Sequence, residues 1–174
     1  MDISSEEILE RMRWVKPSYS FRSSFIYQNI FYLAAGQVIE KVSGKPWEEF
    51  VKERIFSPLG MNNTYPTLNA APNTNRTKPH MKMEGKNIVI EDMSADAIGP
   101  AGSVWSSIED ISKWTKSMLD SGKYEGGRLV QPKTWEEMTS VQTLVPSSEF
   151  YPTAQLTKPN FTSYGLGSVS YTHL

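Results

Sequence analysis

The sequence predicts a mainly α-helical chain with few strands, and three features carry that expectation. Ile30, Phe31, Ala34, Ala35, Val38, Ile39 and Val42 recur at three- and four-residue spacing, the repeat of a helix with one core-facing side. Acidic pairs stand at Glu6-Glu7, Glu48-Glu49 and Glu109-Asp110, just inside expected helix starts, where the helix dipole favours them. Gly44 and Gly122 follow periodic stretches at the position where helices stop.

Taken in order, Ser4 or Ser5 ahead of Glu6-Glu7 caps a short helix carrying Ile8, Leu9 and Met12, which Lys16-Pro17 ends. A polar and aromatic link, Ser18 to Phe25, leads to a helix expected near 29–43, its apolar stripe read as core packing, with Asn29 a favoured N-cap. Pro46 opens a helix near 46–56, and Ser57 to Thr64 is a turn cluster. Residues 65–83 lack periodicity and read as a long loop. Asn87 to Glu91 is the first strand candidate. Gly99 to Ser103 reads as a tight backbone passage. Ser106 with Glu109 forms a capping box for a helix near 107–121. Gly126-Gly127 turns, Pro132 opens a further short helix, residues 143–161 read as loop, and Tyr164-Gly165-Leu166-Gly167 leads into a strand.

Composition narrows the function. The 174 residues hold 18 Lys+Arg against 19 Asp+Glu, a net charge of −1, without the basic excess of a nucleic-acid binder. No apolar run approaches the roughly 20 residues of a membrane span. With no cysteine there is neither a disulfide nor a thiolate nucleophile, and two histidines are too few for a His-rich metal centre. The acidic start, Met1 to Glu7, shows no secretory signal pattern. A small-molecule or peptide substrate is the expected partner, with no nucleic acid and no membrane span in this segment.

No serine or threonine has a lysine three residues later, and no Gly-x-Ser-x-Gly elbow, His-Glu-x-x-His or phosphate-binding Gly-x-x-x-x-Gly-Lys motif occurs. His80 lies in a lysine-rich polar stretch and reads as a solvated surface residue. What stands out is Tyr27-Gln28-Asn29 at the mouth of the strongest helix. Two readings are open. Asn29 can be a cap with Tyr27 packed beside it. Alternatively, an extended lead-in aims residues two apart to one side, so that a phenol and a carboxamide face one cleft. A tyrosine oxygen relays a proton where nearby cations lower its pKa, and an amide both donates to and accepts from a substrate amide.

Phe25-Ile26-Tyr27-Gln28-Asn29-Ile30-Phe31-Tyr32-Leu33-Ala34-Ala35-Gly36 and the segment after it to Gly44 resemble the middle motif region of the class C β-lactamase-like serine hydrolases. Arg54-Ile55-Phe56-Ser57-Pro58-Leu59-Gly60-Met61-Asn62-Asn63-Thr64 is similar to the stretch that follows there. Pro100-Ala101-Gly102-Ser103 through Asp110-Ile111 resembles the family's Ala-Gly-Gly-x-x-Ser-x-x-Asp-Leu segment, with Ser103 in place of the second glycine. Tyr164-Gly165-Leu166-Gly167 resembles its Tyr-Gly-Leu-Gly approach to the core sheet. The superfamily includes β-lactamases, penicillin-binding proteins of the DD-peptidase type, D-aminopeptidases and esterases. The resemblance implies an α+β parent fold, with helices flanking an antiparallel sheet, of which this segment is the mainly α part.

The resemblance also implies roles. Tyr27 is the catalytic residue, shuttling a proton between the nucleophilic serine and the leaving group of an amide or ester through an acyl-enzyme, and Asn29 binds the substrate's amide. No metal and no organic cofactor is implied, and relatives of this kind are periplasmic or secreted. The nucleophile's Ser-x-x-Lys lies upstream in the family and the Lys-Thr-Gly or His-x-Gly motif downstream; neither is present here, and Lys133-Thr134-Trp135 does not substitute. Residues 1–167 are therefore expected to be a partial domain lacking both ends, inactive alone, and residues 168–174 a tail outside the native sequence. Phe31, Leu33, Ile111 and Trp114 are expected on faces turned toward the sheet. The alternative is a non-catalytic binding module derived from the same fold.

Overall fold

The computed structural model describes residues 3–146 and 161–171. They form two compact units: residues up to Val15 together with Gln28–Thr115, and Lys16–Tyr27 together with the chain from Lys116 onward. The expected predominance of helix holds, with strands only in short antiparallel pairs and one three-stranded sheet.

In the first unit, α1 (Ser5–Met12) is capped by Ser4, whose hydroxyl accepts from the Glu7 N–H, and Ser5 Oγ ties it to the Ala97 carbonyl at 2.8 Å. The long helix α2 (Asn29–Ser43) ends at Gly44, whose φ of 71° is the left-handed turn that glycine adopts without strain. Its expected start differs by one residue. Gln28, not Asn29, is the cap, its side-chain oxygen accepting from Ile30 N at 3.0 Å, and Asn29 is already helical.

The apolar stripe of α2, expected to face the core, does so only at its flanks: Ile30, Ala34 and Ile39 are half-buried. Leu33 and Gly36 are buried, whereas Phe31, Ala35, Val38 and Val42, on the opposite side of the helix, are exposed. Leu33, expected on the sheet-facing side with Phe31, Ile111 and Trp114, is therefore a core residue. Phe31 and Ile111 are exposed, and Trp114 is half-buried. The reason is visible at Gly36, where an added Cβ would sit 2.3 Å from Pro100 Cγ. The absence of a side chain at Gly36 lets this side approach Pro100 closely.

Glu40, on the same inner side, accepts from the Trp47 N–H at 3.2 Å and so starts α3 (Trp47–Val51), with Pro46 just outside the helix. A π-helical segment, Lys52–Phe56, continues it, so 46–56 is helical throughout but not α throughout. Trp47, Val51, Phe56, Leu59 and Met61 join Leu33 in the core.

Strand β1 (Thr64–Tyr65) pairs antiparallel with β4 (Trp105–Ser106). The end of the stretch expected to be loop is a strand, β2 (His80–Met83), which pairs with β3 (Lys86–Val89), the strand expected near 87–91, in a hairpin fully exposed along both strands. Glu84 and Gly85 form its two-residue turn at φ 49° and 80°, the twist that hairpins favour. His80 lies exposed on β2. Gly99–Ser103 is not a loop passage but a short helix, α4 (Gly99–Gly102), following a 3-10 turn at Asp96–Ile98. Asp96 accepts from Leu68 N and Asn69 N at 2.8 and 3.2 Å, which holds the turn.

Helix α5 (Ile108–Leu119) runs across the sequence boundary between the units. Its capping serine is Ser107 rather than Ser106: Ser107 Oγ accepts from Asp110 N at 3.2 Å. In the second unit, β5 (Lys123–Tyr124) and β6 (Gly127–Arg128) pair, α6 (Pro132–Thr139) follows, and β7 (Thr143–Val145), β8 (Thr162–Tyr164) and β9 (Val169–Tyr171) form an antiparallel sheet with β8 central. Tyr164-Gly165-Leu166-Gly167 ends one strand and turns into the next. The backbone of 169–171, within the expected tail, pairs with β8; the rest of that tail and most of the expected 143–161 loop lie outside the described residues.

Candidate active site

The four landmark segments do different work. Asp110, at the third position of α5, is 1% exposed and accepts from the Asn63 N–H at 2.6 Å, the Thr64 hydroxyl at 3.0 Å and Lys113 Nζ at 2.9 Å. With Thr64 donating to Asp110, Ser106 Oγ is left to donate to Thr64 Oγ1 at 2.8 Å. Lys113 also donates to the Gly60 carbonyl at 2.6 Å. One turn of α5 thus staples residues 60–64. Burial by itself would raise the Asp110 pKa, but the hydrogen bonds from Lys113, Asn63 and Thr64 and the Lys113 charge hold it below the ordinary carboxylate value. Its place in a helix first turn is as expected, but its main task is this junction.

Ser103, where the family pattern has glycine, sits at φ −88° and ψ −8°, a conformation any residue adopts. It is 2% exposed, and its hydroxyl lies against the Pro66 and Gly99 carbonyls. The turn needs no second glycine. Nearby, Arg76 pairs with Asp92 and stacks over Trp105 at 5.1 Å. Arg76 Nε and Asp92 Oδ1 are buried without hydrogen-bond partners among the described residues. They belong to the same ion pair, so a small rotation to the two-pronged arrangement would satisfy both.

Tyr27 and Asn29 fall on either side of the division between the units, and each is placed by its own surroundings. Asn29 opens α2, half-buried, and its carboxamide makes no hydrogen bond among the described residues. Gln28 between them is extended, with φ −147° and ψ 109°. Tyr27 is 60% exposed. Within the second unit its ring meets Tyr164 edge-on, with centroids 6.4 Å apart and planes at 78°, while Tyr164 leans on buried Phe25 at 5.4 Å. The reading of Asn29 as the cap therefore gives way to Gln28, while Tyr27 packs by one ring contact and is otherwise exposed.

Sequence reasoning missed Tyr164 as a neighbour of Tyr27. The residue was singled out as part of Tyr-Gly-Leu-Gly, but nothing in its local pattern says which distant ring it touches. Among the described residues no group of three or more His, Asp or Glu side chains is arranged to hold a metal ion. No helix there is long and apolar enough to cross a membrane.

A helical scaffold with short antiparallel sheets and these ordered landmarks defines the class C β-lactamase-like superfamily of serine hydrolases. The chain belongs to the β-lactamase family, whose model matches residues 2–171. It is similar to a β-lactamase of Escherichia coli (strain K12), 27% identical over 76% of this chain and 36% of the relative. In three dimensions it resembles a D-stereospecific amidohydrolase from Streptomyces sp., with a TM-score of 0.74 and 23% identity, covering 96% of this chain and 45% of that one. It also resembles the octameric penicillin-binding protein homologue from Pyrococcus abyssi, with a TM-score of 0.72 and 24% identity over 97% and 35%. The chain spans about a fifth to a third of the length of the curated relatives it matches, from 18% to 36%.

Proposed function

We propose that this chain supplies the Tyr-x-Asn portion of a serine hydrolase active site that cleaves amides or esters through an acyl-enzyme. The observation that carries the reading is Tyr27, solvent-exposed by 60% yet held at its ring by another tyrosine, two residues before a carboxamide with no hydrogen bond among the described residues. In this reading Tyr27 Oη takes the proton of the attacking serine and returns it to the leaving nitrogen or oxygen. Asn29 donates to and accepts from the acyl amide of the substrate. Serine and lysine both belong to a Ser-x-x-Lys segment that the 174 residues lack. The names of the relatives favour D-amino-acid amides, D-alanyl peptides and β-lactams as the substrate class. A periplasmic or secreted location agrees with such substrates.

Two measurements test the proposal. Residues 1–174, purified, are expected to turn over neither a chromogenic β-lactam nor a p-nitrophenyl ester above a heat-denatured control; stoichiometric labelling by a serine-directed covalent probe would overturn that. Genomic DNA around the coding segment is expected to continue in frame, to Ser-x-x-Lys upstream and Lys-Thr-Gly or His-x-Gly downstream. Genuine start and stop codons flanking residues 1–174 would favour a non-catalytic binding module instead.

A further inference from the structure

We infer that Tyr164 is a positioning residue, whose ring sets the orientation of the Tyr27 ring. The inference rests on Tyr27 being the proton-transfer group proposed above. An exposed tyrosine ordinarily samples several staggered side-chain wells, whereas a proton-transfer oxygen must lie within hydrogen-bond reach of its partner. Tyr27 is exposed on most of its surface, and the edge-on contact with Tyr164 restrains its ring. Such a ring pair favours one orientation by roughly 2- to 12-fold.

The restraint is useful only if Tyr164 is itself fixed, and its surroundings fix it. Tyr164 closes the central strand of its sheet, opposite Thr143 on one side and Val169 on the other, and its carbonyl accepts from Gln142 N at 2.9 Å. The next residue leaves no slack. A Cβ on Gly165 would lie 2.7 Å from the Met138 carbonyl and 2.8 Å from Ser168 Oγ, and the Gly165 N–H donates to the Ser168 carbonyl at 2.7 Å. Tyr164 also rests on Phe25, which is 9% exposed and only two residues before Tyr27. Phe25 and Tyr27 thus contact one ring, carried on a paired strand. The Tyr-Gly-Leu-Gly motif, read from sequence as a strand feature, acts here on the proposed site.

NMR of the 174-residue chain carrying ring-labelled tyrosine tests the contact. Expected are cross-relaxation between the Tyr27 and Tyr164 rings and a ring-current shift on Tyr27. Tyr164→Leu should remove the shift and Tyr164→Phe should keep it, with the backbone spectrum of α2 unchanged. Absence of cross-relaxation in the unsubstituted chain, which needs no variant to fold, would overturn the inference. So would Tyr27 signals indifferent to Tyr164→Leu. In the chain extended to include its Ser-x-x-Lys segment, Tyr164→Leu should lower kcat about 2- to 12-fold at unchanged KM. It should have no further effect in a Tyr27→Phe background. If Tyr27→Phe lowers turnover and Tyr164→Leu does not, the positioning role falls alone. If Tyr27→Phe leaves turnover intact, the proposed role of Tyr27 falls, whatever the rings do.

Discussion

Asp110 and Tyr27 both lie in segments that match the same family, yet their surroundings are opposites. Asp110 is 1% exposed, with three donors directed at its carboxylate from Lys113 and from the 60–64 turn. Tyr27 is 60% exposed, and its described contact is with a ring. A buried charge left without partners is heavily penalised, so the partners of Asp110 are its function: they hold two landmark segments together. An exposed phenol carries no such obligation and is free to meet a substrate. Resemblance to a family therefore does not separate scaffold from chemistry, whereas burial and hydrogen bonding do.

The comparison breaks first at Asp110 if it breaks at all. Asp110→Ala removes the buried acceptor of the Asn63 N–H and the Thr64 hydroxyl and the ion-pair partner of Lys113, and should destabilise the chain by about 3 kcal/mol in denaturant unfolding. Its charge adds a pH signature. Because the folded pKa is lowered, the stabilisation is fully present above the unfolded value of about 3.9 and is lost as pH falls through the lower folded value. Asp110→Asn should remove that acid-side component. An unchanged profile would mean that the carboxylate is not the staple.

A smaller effect of the same kind is expected at the α2–α4 contact. Gly36→Val must push against the Pro100 ring and should cost roughly 1–3 kcal/mol in unfolding free energy. Phe31→Ser, on the exposed side of the same helix, should cost far less, which sharpens the finding that α2 turns Leu33 and Gly36 inward. Ser117 provides a counterpart to Asp110, being 2% exposed with a hydroxyl that has no hydrogen-bond partner among the described residues. Ser117→Ala should therefore stabilise the chain by about 1 kcal/mol, seen as a higher thermal midpoint.

Most helices were legible because their signals are local. Ser4, Gly44, Pro132 and Gly122 cap, open or stop helices with their own atoms, and the structure uses them as the pattern implied. The errors arose where a choice depends on distant residues. Gln28 outcompeted Asn29 as the cap of α2, and Ser107 outcompeted Ser106, shifts of one residue that periodicity cannot distinguish. The hairpin at 80–89 was half missed because its strands are exposed on both faces and show no buried alternation, although Glu84-Gly85 marked its turn. The stripe on α2 alone does not mark the core side, because Leu33 and Gly36 on the opposite side are apolar too and periodicity does not say which side has a neighbour. At the site, Tyr27 and Asn29 could be named from the motif, but Tyr164 could not, since ring contacts between distant segments leave no trace in spacing.

The most direct test of this division between scaffold and chemistry is Tyr27→Phe, measured for stability and turnover on the same preparation of the chain extended through its Ser-x-x-Lys segment. Loss of one exposed hydroxyl should change unfolding free energy by no more than about 0.5 kcal/mol. Turnover of a chromogenic amide or β-lactam should fall by roughly 10²–10⁴, as for removal of a general acid–base group. A stable variant with undiminished turnover would contradict the account and leave Tyr27 as part of the scaffold, like Asp110.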